Sequence, residues 1–137
     1  SSVGPGTGYF TEGSGMATVA HEMGHNLFAL GDEYVSDSAT ETFTGVSRYP
    51  NTSEAPSDWT MLKWFDLVAS NTPLPTNAAR PPAGWNRRTS VGAFEGAAGS
   101  YTTGLFRPVL ECRMNQNNPP WCPVCGRKIL SELEVYE

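Results

Sequence analysis

Ala17-Thr18-Val19-Ala20-His21-Glu22-Met23-Gly24-His25-Asn26-Leu27-Phe28-Ala29-Leu30-Gly31-Asp32-Glu33-Tyr34 holds both histidines of the 137-residue chain. They stand four residues apart, so on a helix their rings project from one face on successive turns. One Zn²⁺ ion can accept a ring nitrogen from each at about 2.0–2.1 Å. Glu22 lies about 100° round the helix from His21, where it flanks such an ion without having to ligate it. A carboxylate there can take a proton from water and hand it to a leaving amine. An ordinary amphipathic helix with two incidental rings explains the same residues less well, because no histidine falls outside the HExxH pattern.

The neighbouring residues fit a helix. Ser14 is positioned to cap its start, and no proline falls between Met16 and Leu30. Val19, Met23 and Leu30 are expected on the side away from the histidines, packed into the core. Gly24 costs about 1 kcal/mol relative to Ala inside a helix, which points to close approach of another segment. Gly31 is the natural stop.

Two imidazoles do not complete a catalytic zinc site, which ordinarily has three protein ligands. With no third histidine, the remaining ligand must be a carboxylate or a thiolate. Asp32 is the nearest strong candidate, yet on a straight helix it would lie about 16 Å along the axis from His21. The chain is therefore expected to break around Leu30-Gly31, with Gly31 supplying a left-handed backbone. Glu33 competes for the role, and Glu41 or Glu54 would bring the ligand from a second element. Tyr34 either hydrogen-bonds within the site or simply packs.

Length and composition set bounds. The chain is expected to form one domain with a modest core. Its net charge of −5, with nine scattered basic residues, gives no footprint for nucleic acid. No apolar run approaches the ~20 residues that cross a bilayer, and Ser1 to Gly15 lacks the pattern of a signal peptide. Fourteen glycines and eleven prolines predict a loop-rich chain. Such a chain wants staples, and a bound metal or cysteine chemistry would serve.

Residues 1 to 14 read as an extended, mobile arm carrying Tyr9 and Phe10. Asp32 to Asp58 is a long polar excursion of the kind that often carries function. Ser57 or Asp58 could cap a second helix over Trp59 to Ala69, with Trp59, Leu62, Phe65 and Leu67 inward. Prolines 73, 75, 81 and 82 forbid regular structure over residues 70 to 90. Val91 to Glu95 and Tyr101 to Leu110 read as two strands joined through Gly96 to Ser100, and Pro108 bends the second. Pro123 fits the first turn of a last helix, with Ile129, Leu130 and Leu133 inward.

Cys112, Cys122 and Cys125 are odd in number and too few for a four-thiolate zinc site. A disulfide from Cys112 to one of the other two is the favoured expectation. It would close a loop of about ten to thirteen residues and contribute about 2–4 kcal/mol. A second zinc held by three thiolates and a borrowed ligand is the alternative, and three buried free thiols the third. No thioredoxin-like pattern surrounds the CxxC.

Taken together, His21-Glu-x-x-His25 and Gly31-Asp32-Glu33-Tyr34 resemble the bacterial IgA-peptidase family of zinc metallopeptidases. The likeness continues through Lys63-Trp64, Phe94-Glu95-Gly96-Ala97, Gly104-Leu105-Phe106-Arg107-Pro108, Cys112-Arg113-Met114 and Trp121-Cys122-Pro123-Val124-Cys125. The family is similar to the metzincins, whose H-E-x-x-H-x-x-G-x-x-H/D pattern ends in a Met-turn. Here Phe28 replaces the metzincin glycine, and Asp32 falls one residue later than the third metzincin ligand.

The resemblance implies a metzincin-like α+β catalytic unit, with Met114 as the Met-turn methionine beneath the metal. It also implies endopeptidase cleavage of proteins outside a bacterial cell, with one catalytic Zn²⁺ and Glu22 as general base. Tyr34, Tyr101 and Arg107 are candidates to steady the oxyanion; Arg107 is also expected to pair with Glu95. Metzincin-type domains place a twisted sheet before the active-site helix, whereas about fourteen loop-like residues precede it here. The expectation is a fragment lacking that sheet, or a reduced unit, turning over more slowly than a longer chain. A rival class, a non-catalytic protein-binding module using loops 32–58 and 70–90, leaves Glu22 without a purpose. A third reading keeps the hydrolase but makes its substrate a non-peptide amide or ester.

Overall fold

A computed structural model describes residues 2–4, 7–8 and 15–134. It is a mixed α+β structure. Ser2–Gly4 (β1) and Thr7–Gly8 (β2) pair antiparallel, so part of the expected arm is regular; Tyr9, Phe10 and Ser14 lie outside the described residues. Helix α1, Met16–Phe28, follows, with Gly15 at its N-cap and no side chain capping it. The short strands β3 (Glu41–Thr42), β4 (Ser53–Glu54), β5 (Phe94–Ala97) and β6 (Tyr101–Arg107) form one sheet, and α2, Pro123–Glu134, ends the described chain.

β6 is the spine of the sheet. β5 runs antiparallel along one edge, pairing Phe94 with Arg107 and Ala97 with Tyr101. The other edge carries β3, parallel beside Tyr101 and Thr103, and β4, antiparallel beside Leu105 and Phe106. Gly104 has φ +83, and a Cβ there would sit 2.5 Å from the Phe43 carbonyl, so only glycine lets that backbone approach so closely.

Several sequence expectations shift. β5 starts later than expected and runs past Glu95 into the expected linker, while β6 ends before Pro108, which has no N–H to continue a ladder. The expected helix at 59–69 is instead two 3₁₀ turns, Trp59–Met61 and Phe65–Leu67. Asp58 caps the first, accepting from Thr60 N–H at 2.9 Å. Tertiary bonds explain the break: Lys63 Nζ donates to the carbonyls of Ser47, Tyr49 and Thr52 at 2.7–2.9 Å. On the next residue, fully buried Trp64 donates Nε1–H to Gly92 O at 2.7 Å. One regular helix could not aim both side chains at those partners.

The core joins Leu30, Leu62, Trp64, Val109 and Met114 to the first turn of α2 through Val124 and Cys125. Ile129 packs against it, but Leu130 and Leu133 face solvent, because α2 meets the core mainly through its beginning. Met23 is exposed and Val19 only half-buried. The packed face of α1 is the one bearing His21 and Gly24, contrary to expectation, since the segment around Met114 lies beneath it. Among the described residues, no helix is long and apolar enough to cross a membrane.

Candidate active site

α1 delivers its two imidazoles one turn apart, with ring centroids 4.9 Å from each other. Their Nε2 atoms approach to 3.2 Å. Asp32 Oδ1 closes a triangle, 3.1 Å from His21 Nε2 and 3.0 Å from His25 Nε2. The three atoms have the spacing of a tetrahedral face, since ligands about 2.0–2.1 Å from a common zinc lie about 3.3 Å apart.

Each ring is held from behind. His21 Nδ1–H donates to Arg113 O at 2.6 Å, and His25 Nδ1–H to Leu30 O at 2.8 Å. Those bonds put the ring proton on Nδ1 and turn the Nε2 lone pairs inward, the arrangement a metal-ligating histidine requires. Burial works against a charge on Asp32, but the hydrogen bonds that His21 and His25 give it from Nε2–H when protonated outweigh it and hold the carboxyl down to about 2. Burial likewise lowers both imidazoles, and the Asp32 carboxylate more than reverses this, leaving both above their ordinary value. Proton and metal compete for the same Nε2 atoms, so the field that favours one favours the other.

The chain solves the problem of Asp32's reach earlier than expected. The helix stops at Phe28, and Ala29, not Gly31, takes the left-handed conformation (φ 54, ψ 35). Leu30 N–H then reaches back to Gly24 O at 3.0 Å, and the chain returns toward the histidines. Gly31 serves a close approach instead, because a Cβ there would meet the Tyr49 ring at 2.8 Å. Buried Asn51 brackets it, accepting from Gly31 N–H at 2.8 Å and donating to Gly31 O at 2.7 Å. The returning segment is clamped on both sides. Ala98 and Gly99 donate to the carbonyls of Asp32 and Tyr34, while Glu33 N–H donates to Met114 O at 2.8 Å.

Met114 is fully buried. A Cβ on Gly24 would lie 2.6 Å from its Sδ and 3.1 Å from the Trp121 ring, which accounts for the glycine inside α1. Glu22 is buried on the same helix. The negative charge of Asp32, then burial and the charge of Glu22, push the Tyr34 phenol up, which puts its hydroxyl within their field. Tyr101 instead stacks edge-on against Phe43. Arg107 Nη1 donates to the backbone carbonyls of Glu95 and Gly96, at 3.2 and 2.7 Å. The expected Arg107–Glu95 ion pair is replaced by these bonds, and the Glu95 carboxylate accepts from Gly104 N–H.

Glu33, the rival of Asp32 for the third ligand position, points elsewhere. It is fully buried, 3.2 Å from Cys125 Sγ and 3.0 Å from Asn51 Nδ2. Cys112, Cys122 and Cys125 are buried free thiols, so the favoured disulfide is not formed. Burial pushes the Glu33 carboxyl well up, with Cys112 adding to it. Asn51 and the carbonyls of Leu30 and Arg113 escape sequence reading, because backbone atoms and a lone loop asparagine carry no motif.

Against known proteins, residues 14–82, half of the chain, match the family described as IgA peptidase M64. The matched region takes in α1, Asp32 and Glu33 and ends before the cysteines. No curated protein matches the chain.

Proposed function

Because this chain belongs to the IgA peptidase M64 family, we propose that it is a zinc-dependent endopeptidase of metzincin-like design, acting on proteins outside the cell. The observation that carries the reading is the triangle of His21 Nε2, His25 Nε2 and Asp32 Oδ1, with edges of 3.0–3.2 Å and both Nδ1 atoms bonded to backbone carbonyls. Three ligands leave a position open for water and substrate, as catalytic rather than structural zinc sites do. When bound, zinc supplies a Lewis acid that makes water a nucleophile near neutral pH and polarises the scissile carbonyl.

The chain's own groups do the rest. Glu22, next to His21, accepts the proton of the attacking water and returns it to the departing amine. Tyr34 keeps its phenolic proton under the charges of Asp32 and Glu22 and donates it as a hydrogen bond to the developing oxyanion. Asp32 contributes charge without needing a proton removed. Met114 gives the ligand set an apolar floor, which keeps water from competing beneath the imidazoles.

Replacing Glu22 by Gln tests the proposal. Metal content should stay the same while hydrolysis of an unfolded protein substrate falls by about 10²–10⁴-fold, the usual worth of a general base. Full activity in Glu22→Gln would remove the mechanism.

A further inference from the structure

We infer that Glu33, Cys112, Cys122 and Cys125 form a second zinc site, structural rather than catalytic. This goes beyond the peptidase reading and does not depend on it. The four ligand atoms lie within 4.8 Å of one another, and all four residues are buried. Cys112 and Cys125 sulfurs are 3.7 Å apart, and zinc–sulfur bonds of about 2.3 Å in a tetrahedron put two sulfurs about 3.8 Å apart. Glu33 Oε2 stands 3.2 Å from Cys125 Sγ and 4.0 Å from Cys122 Sγ, on either side of the ~3.5 Å sulfur–oxygen edge of such a site.

Two further observations point to a cation. Glu33 is a fully buried carboxylate whose Oε1 has no hydrogen-bond partner among the described residues. A cation bound among the three sulfurs and this carboxyl group would offset the hydration the acid has lost. The sulfurs, for their part, receive backbone donors: Met114 N–H and Cys122 N–H to Cys112, and Cys125 N–H to Cys122, at 3.4–3.5 Å. Such donors stabilise thiolates, the form that binds metal. A disulfide would use two sulfurs and leave the third with the acid unmatched.

Three thiolates select zinc over magnesium or calcium, and four protein ligands close the coordination shell. The position within the fold gives the site its purpose. Glu33 follows Asp32 directly, and Cys112 precedes Arg113, whose carbonyl orients His21, and Met114, whose carbonyl holds Glu33 N–H. An ion here would tie the third ligand's segment to the segment that aims the first histidine.

Metal analysis of the full chain, purified under reducing, metal-controlled conditions, tests this directly. Two equivalents of zinc are expected. His25→Ala should halve that number while keeping the thiolate-bound ion, and Cys125→Ser should halve it while keeping the other. Loading His25→Ala with Co²⁺ should give the intense near-ultraviolet band of thiolate coordination, a readout that needs no cysteine variant to fold. A wild-type content of one equivalent that His25→Ala abolishes, no such cobalt band, or a single alkylatable thiol in the folded chain would each overturn the inference. None of these readouts depends on turnover, so failure here and failure of the Glu22→Gln test are separable.

Discussion

Gly24 lies between the two histidines, over the buried sulfur of Met114 and the ring of Trp121. Adding one methyl group there displaces atoms that have nowhere to go. Gly24→Ala should lower unfolding stability by about 1–3 kcal/mol, despite alanine's better helix propensity. Denaturant unfolding measures this, and a stabilised variant would show that Met114 is not the floor of α1. The same residue shows how much of the site is legible in the sequence. A glycine that spoils a helix tells of a close neighbour but not which one, because contact between positions as far apart as Gly24 and Met114 leaves no local trace. His21, Glu22 and His25 are legible because helical spacing alone sets their geometry. The destination of Glu33 is not, since it depends on three cysteines distant in sequence.

Where α1 ends, the bend comes close to where the sequence places it but falls on a different residue. Glycine is the usual left-handed stop, and Gly31 was available, but the turn has to occur at Ala29 for Asp32 to reach both rings. Ala29 is exposed and makes the turn at φ 54, a conformation that costs a residue with a Cβ about 1–2 kcal/mol. Ala29→Gly should therefore stabilise the fold by about 0.5–1 kcal/mol, once the extra freedom of glycine in the unfolded chain is set against the relief. A thermal melt checks it; a loss of stability would mean the helix end is not under strain. The second expected helix fails for a related reason. Its apolar spacing is real, but Lys63 and Trp64 each satisfy distant carbonyls, and those bonds outweigh local propensity.

Among the described residues, regular structure is sparse: the longest strand, β6, has seven residues, and stretches such as 70–90 hold turns only. Proline and glycine content makes that loop-rich character legible; the sheet order is not, because β3 and β4 are too short to declare themselves. Such an architecture leans on point anchors, and bound ions would be the strongest of them. Stripping metal with a chelator should lower the thermal midpoint, and zinc restored at a hundred times its dissociation constant should return about 2.7 kcal/mol per site. An unchanged midpoint would show that the fold stands without ions. Finally, Asp32 and Glu33 are neighbours in sequence that serve opposite clusters, each delivered by its place in a short segment held from both sides. Such an arrangement reads frame as well as identity. Lengthening the segment by a single residue after Gly31 would move Asp32 to the address of Glu33 and Glu33 to that of Tyr34, so natural variation there should arise by substitution rather than by insertion or deletion.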